Sequence, residues 1–352
     1  MTIVADARPR VVLGVDTHRD LNVAAVLDER GGELATASFA TTAAGHRELL
    51  GWAQGFGVVE RAGVEGTGSY GAGLARHLHA AGTAVVEVDR PDRQRRRRLG
   101  KTDAIDAVAA ARAAQSGAAT ATPKTRTGPV EAIRVLRVVR RSVNHQRTQA
   151  LNQLRALVLT APDELRAGLS GTTVLRLVTR AAALRPGPDL ADATQATKFA
   201  MRELARRIRD LNDQRARLDD QLDVLVATLA PELVAKRGVG TDTAGAILVA
   251  CGDNPHRVRS EAAFAHLCGV APIEASSGNT TRHRLDRAGD RQANQALWRI
   301  VMVRLTCDPR TRDYVQRRIT DGKTKREAIR CLKRYVAREI YQVLPKLGLD
   351  NR

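Results

Sequence analysis

Between residues 10 and 115 the chain alternates β-branched runs with helical segments in one fixed order, and few folds accept that order. Residues 10–16, 21–27 and 33–40 are three apolar runs of strand length. Glu29-Arg30-Gly31-Gly32 separates the second from the third, which predicts a hairpin. Residues 42–55 read as a helix capped by Thr41 or Thr42. A fourth strand over 58–64 ends at Glu65, and the Gly66-Thr67-Gly68 turn leads into a helix over about 71–81. A fifth strand over 84–88, a basic loop and a helix from Thr102 to about Gln115 complete the series.

Three antiparallel strands followed by alternating helices and strands is the order of a ribonuclease-H-like fold. Acidic residues sit where such a fold gathers them. Asp16 lies in VLGVDTHRD, Glu65 in AGVEGTGSYG, and Asp103 with Asp106 in LGKTDAIDA. Asp16 and Glu65 close strands, while Asp103 and Asp106 lie three apart and share one helix face. Four converging carboxylates repel one another unless divalent cations lie between them. Hard cations held by a few carboxylates, with positions left for phosphate oxygens, are what Mg²⁺ phosphoryl transfer requires. The bland reading is a scatter of caps and solvent-facing acids. Asp20, Asp89 and Asp92 are nearby acids, and of these Asp89 alone also ends a strand.

The charge balance points to a polyanionic partner. Lys and Arg number 57 against 38 Asp and Glu, giving +19 across 352 residues. An Arg-rich coding bias is the alternative explanation. Aromatics are only 3%, which argues against base stacking as the main binding mode. Cys251, Cys268, Cys307 and Cys331 form no CxxC, so neither a zinc knuckle nor a disulfide framework is expected. Apolar stretches are too short to span a membrane, and the N-terminus lacks a signal-peptide layout. A soluble, reducing, cytoplasmic setting is the expectation.

Residues 118–129, rich in Ala, Thr and Pro, read as a linker. A long helix over about 130–159 follows, and a second over about 196–229. In the second, Leu204, Ile208, Leu211, Arg215, Leu218, Leu222, Leu225 and Leu229 recur at alternating steps of four and three. That seam suits a coiled coil, and dimerisation is favoured over an internal antiparallel hairpin. LVAKRGVGTDTAGAILVACG reads as two short helices around Gly238-Val239-Gly240, a helix-hairpin-helix arrangement that presents amides to phosphate. Helices over 260–268, 291–305 and 325–344 follow.

Two further segments bear on chemistry. DRPDRQRRRRLGK, before Asp103, is either a solvated arm or a grip on a phosphate backbone. Ser276-Ser277-Gly278 is a turn by composition. It is followed by Arg282, His283, Arg284, Arg287 and Arg291, whose charge would stabilise a phosphoryl transition state if a serine hydroxyl attacked. No general base is evident beside it.

Taken together, GVDTHRD, VEGTGSYG and KTDAIDA, then RGVGTDTAGAIL, AFAHLCGVAPIEASSG and RAGDRQANQAL, resemble the DEDD transposases of the IS-one-ten class, relatives of Piv-type DNA invertases. The resemblance implies a RuvC-like domain binding Mg²⁺ (or Mn²⁺) through Asp16, Glu65, Asp103 and Asp106. It implies a serine nucleophile at Ser277, with Ser276 one alignment step away, and a covalent phosphoserine link to DNA. It also implies a homodimer or homotetramer with composite sites, donor and target DNA as substrates, and guidance by a noncoding bridge RNA.

The expected organisation is therefore α/β plus α. Residues 1–118 would form the RuvC-like catalytic domain and 129–229 a coiled-coil region. Residues 230–352 would form a mainly helical transposase domain. The expected activity is strand cutting and rejoining. A junction-resolvase-like nuclease using water is the rival, and a non-enzymatic architectural protein is the other.

Overall fold

The β-branched runs form β1 (Arg10–Thr17), β2 (Leu21–Leu27) and β3 (Glu33–Ala40), joined as antiparallel neighbours. Strands β4 (Val58–Glu65) and β5 (Ala84–Val88) run parallel to β1, and the sheet order is β3-β2-β1-β4-β5. The computed structural model describes residues 8–88, 102–279 and 283–346.

Both faces of the sheet are covered, which is why β1 and β2 read as near-continuous apolar runs rather than alternating ones. On one face Val11, Leu13, Val15, Ala24 and Val26 pack beneath α1 (Ala43–Gln54) and α2 (Ala72–Ala80). Leu49, Leu74 and Leu78 from those helices are fully buried there. Each contributes on the order of 1.5–3 kcal/mol of transfer free energy. On the other face Val12, Ala25 and Leu27 meet α3 (Asp103–Gln115). Thr42, rather than Thr41, caps α1, accepting the Gly45 N–H at 3.1 Å.

The stretch expected as a linker is instead tied down. The Glu87 amide donates to the Ala121 carbonyl at 2.7 Å. Asn254 Nδ2 donates to the Pro123 carbonyl at 3.0 Å, and Arg257 Nε donates to that of Thr122 at 2.7 Å. A Pro- and Thr-bearing strand without a full ladder needs side-chain partners for its backbone, and these come from about 130 residues downstream. Residues 251–264 accordingly belong to the same compact unit as the sheet.

The second unit holds residues 129–250 and 265–347. Its frame is α4 (Pro129–Thr160) against α7 (Ala193–Leu229). Arg140 pairs with Asp219 and Arg147 with Asn212, so advancing along one helix retreats along the other and the pair is antiparallel. The short helices α5 (Asp163–Leu169) and α6 (Val174–Ala182), not foreseen from the sequence, close one end. There Leu151, Leu154, Leu177, Met201 and Ile208 share a core. The seam of α7 is thus covered in part within the chain, with Leu204, Leu218, Leu225 and Leu229 half-buried. Ile208, Leu211 and Leu222 are buried, with Met201, Ala205 and Val226 completing the stripe. The internal hairpin, the less favoured alternative, accounts for the periodicity, which therefore carries no argument for a dimer.

After α8 (Pro231–Val234) and α9 (Thr241–Cys251), a 3₁₀ turn and α10 (Glu261–Leu267) lead to a two-stranded hairpin, β6 (Pro272–Glu274) and β7 (His283–Leu285). Helices α11 (Arg291–Cys307), α12 (Pro309–Thr320) and α13 (Lys325–Tyr341) follow. Thr324 and Glu327 form a capping box at the start of α13. The region expected over 129–229 and most of that expected over 230–352 share one unit. Among the described residues no helix is long and apolar enough to cross a membrane.

Candidate functional site

Asp16 and Glu65 lie at the carboxyl ends of adjacent parallel strands, one residue beyond the registered pair Val15 and Val64. Alternation along the strands puts Asp16 on the face of Gly14 and Glu65 on that of Gly63, the face covered by α3. Thr17 Oγ1 donates to the Glu65 carbonyl at 2.8 Å and ties the two strand ends together. Gly66 takes φ +69°, the left-handed conformation that turns the chain directly after Glu65.

Helix α3 brings the remaining two acids. Its N-cap Thr102 accepts the Ile105 amide at 3.3 Å, so Asp103 and Asp106 occupy the first turn, where the helix dipole favours negative charge. The helix crosses the sheet at glycines. A Cβ on Gly63 would fall 2.4 Å from the Ala110 carbonyl oxygen, and Gly14 is as tightly covered. Asp106 and Asp16 are buried, whereas Asp103 is half exposed.

His18, which sequence reasoning passed over, joins this group. Its Nε2 lies 3.2 Å from Asp16 Oδ2 and 3.4 Å from Asp103 Oδ2. Asp16, His18 and Asp103 can each present one ligand atom within 4.8 Å of the others. In VDTHRD it stands two residues after Asp16, just past the end of β1, and no local pattern gave it a partner. Glu65 and Asp106 flank this trio by element and register. The trio fits a divalent ion on chemical grounds: two carboxylates, an imidazole, and a buried Nε2 with no hydrogen-bond partner.

Ser276 and Ser277 are exposed, just after β6, and Gly278 turns with φ +55°. The stem beneath them is held by strand pairing and by side chains around it. Glu274 pairs with His283 and Pro272 with Leu285. His266 Nδ1 and the buried Asp286 Oδ2 are 3.0 Å apart. Asn294 Nδ2 donates to the carbonyls of Cys268 and Gly269 at 2.8 and 2.9 Å, and Lys333 Nζ donates to Asn294 Oδ1 at 2.8 Å. Burial, reinforced by Arg330, pushes the Lys333 ammonium below its usual value. Arg282 and the arginine run over 89–101 lie outside the described residues.

Cations also line a cleft of about 750 Å³ in the second unit, formed by Arg137, Arg140, Arg141, His145, Arg291 and Arg299 with Asp242. Asp242 occupies the first turn of α9, the helix start expected to receive phosphate. It takes Arg137 Nη1 at 2.7 Å, Arg140 Nη1 at 3.0 Å and Arg299 Nη1 at 2.5 Å. Burial alone would raise its carboxyl, but Arg137, Arg140 and Arg299 outweigh that and hold it below the ordinary range. The anion at this helix N-terminus is the chain's own.

Residues 13–161 match the DEDD transposase model of the IS110 group, and residues 232–316 match the transposase model of the IS116/IS110/IS902 family. Both regions are similar to IS110-family transposases. The first IS110 match contains all of the sheet but the start of β1, with all four acids and His18, and the second contains the serine loop. An uncharacterized 43.6 kDa protein of insertion element IS110 from Streptomyces coelicolor is 32% identical over 129 residues. That alignment spans 36% of this chain and 32% of the relative, about a third of the relative's length.

Proposed function

We propose that the chain is a DNA transposase that cuts and rejoins strands through a metal site at Asp16, Glu65, Asp103 and Asp106 and a serine nucleophile at Ser277. The convergence of Asp16, His18 and Asp103 beside the Glu65 strand end carries the reading, within a chain that bears both IS110-type domains.

In this mechanism the acids of β1, β4 and α3 would hold Mg²⁺ or Mn²⁺, and the ion would neutralise charge building on phosphoryl oxygens. Ser277 Oγ attacks phosphorus, forming a phosphoserine ester as one deoxyribose C–O–P link breaks and its oxygen leaves as a hydroxyl. A hydroxyl of the receiving strand then attacks the same phosphorus and restores the serine. His283 and Arg284, exposed beside the loop, offer charge to the backbone phosphate. The cleft arginines Arg141 and Arg291 serve backbone grip of donor and target DNA.

Strand choice is assigned to base pairing with a noncoding bridge RNA, and the working unit to a homodimer or homotetramer in which one subunit's serine meets another's acids. A protein that leaves sequence reading to RNA needs charge more than aromatic platforms, which suits +19 with 3% aromatics.

Denaturing gels of reactions on labelled DNA ends test the chemistry. Ser277→Ala abolishes the covalent protein–DNA adduct and strand exchange, while Ser276→Ala retains both. Cleavage that persists in Ser277→Ala without adduct or rejoining, and is lost in EDTA, would instead identify a resolvase-like hydrolysis. Co-purification of one discrete transcript tests the RNA partner.

A further inference from the structure

A site of four carboxylates has no place for an imidazole, yet His18 points one into it. His18 Nε2 is buried and makes no hydrogen bond, although Asp16 Oδ2 and Asp103 Oδ2 lie at 3.2 and 3.4 Å. A cation between the three residues would give this nitrogen and both carboxylates a common partner.

The spacing identifies that partner. Ligands at right angles around one centre, with bonds of about 2.1 Å, lie about 3 Å apart. The contacts of His18 with Asp16 and Asp103 are close to that edge length. The backbone at His18 is also held. His18 follows Asp16 by two residues, and its amide donates to the Leu21 carbonyl at 3.0 Å within the β1–β2 turn.

We propose that His18 is an inner ligand of the ion held by Asp16 and Asp103, which makes the centre a mixed nitrogen–oxygen site that prefers Mn²⁺ to Mg²⁺. This rests on the metal-site reading above. Mg²⁺ takes oxygen and keeps its waters, whereas imidazole bonds more strongly to first-row transition ions. Asp103 is half exposed and Asp16 buried, so one side of the trio remains open to a phosphate oxygen.

The experiment uses the full chain stripped with EDTA and titrated with MnCl₂, read by electron paramagnetic resonance. Pulsed spectra of bound Mn²⁺ should show the ¹⁴N coupling of a coordinated imidazole. His18→Ala and His18→Gln should lose that coupling and weaken Mn²⁺ by about tenfold or more, the scale seen even for outer-sphere losses. Mg²⁺ affinity, measured by competition, should change far less. Circular dichroism checks that both variants stay folded.

Mn²⁺ that binds the parent chain and is lost in Asp16→Asn, but shows no nitrogen coupling, overturns the role of His18 and leaves the carboxylate site standing. Mn²⁺ binding that is unaffected by Asp16→Asn, or no binding at all, removes both readings.

Discussion

A Cβ on Gly14 would lie 2.2 Å from the backbone nitrogen of Ala111, so the helix that carries Asp103 and Asp106 rests directly on the strand that carries Asp16. The contact is backbone against backbone, and nothing in it can rotate aside. Gly14→Ala must therefore lift α3 from the sheet. Overpacking of this type costs about 1–3 kcal/mol. Urea unfolding should show that loss, and Mn²⁺ affinity should fall with it, although no ligand has been changed. An unaltered midpoint would mean that α3 is not seated as described.

Asp242 joins α4, α9 and α11 through Arg137, Arg140 and Arg299. Its folded carboxyl titrates below the unfolded one, so its stabilisation is present above the ordinary carboxylate range and lost as pH falls through the depressed folded value. Asp242→Asn should flatten the acid side of the stability profile. At neutral pH it should lower stability by about 2 kcal/mol, the scale of charge-assisted hydrogen bonds. Thermal melts across acid pH provide the check.

His46 is buried in α1, with its ring centroid 6.0 Å from that of His77. Burial first, then His77 and Arg76, hold its imidazole below 6.5. Below that value the unfolded chain takes up a proton that the folded chain resists, so stability falls as pH drops towards the folded value. Urea midpoints between about pH 7.5 and 5 should decline more steeply in the parent than in His46→Gln. Equal slopes would place the titration elsewhere.

Asn22 on β2 is fully buried, and neither side-chain polar atom has a hydrogen-bond partner. An unsatisfied amide in that position costs about 1–3 kcal/mol. Asn22→Leu, close in shape, should therefore hold or raise the unfolding midpoint. A loss of several degrees would show that the amide is satisfied in solution.

The strand runs and helix starts were legible because their signals are local. β-branched runs, Thr42, Thr102 and the Gly66 turn each act within a few residues of themselves. The partner of the α7 seam was not legible, since a heptad stripe records that a face is buried and not against what. His18 was missed for a related reason. Its residue type suggested nothing beside Asp16 until Asp103, 85 positions later, closed the other side.

Local chemistry by itself determined the sheet's elements, the positive charge and the carboxylates at strand ends. Three matters waited for the tertiary structure: how closely α3 could approach at Gly14 and Gly63, the strap of residues 118–129 on Asn254 and Arg257, and the capture of the α9 start by Asp242 and three arginines. Each depends on groups far apart in the chain, brought together only when burial of the core outweighs the entropy of closing long loops.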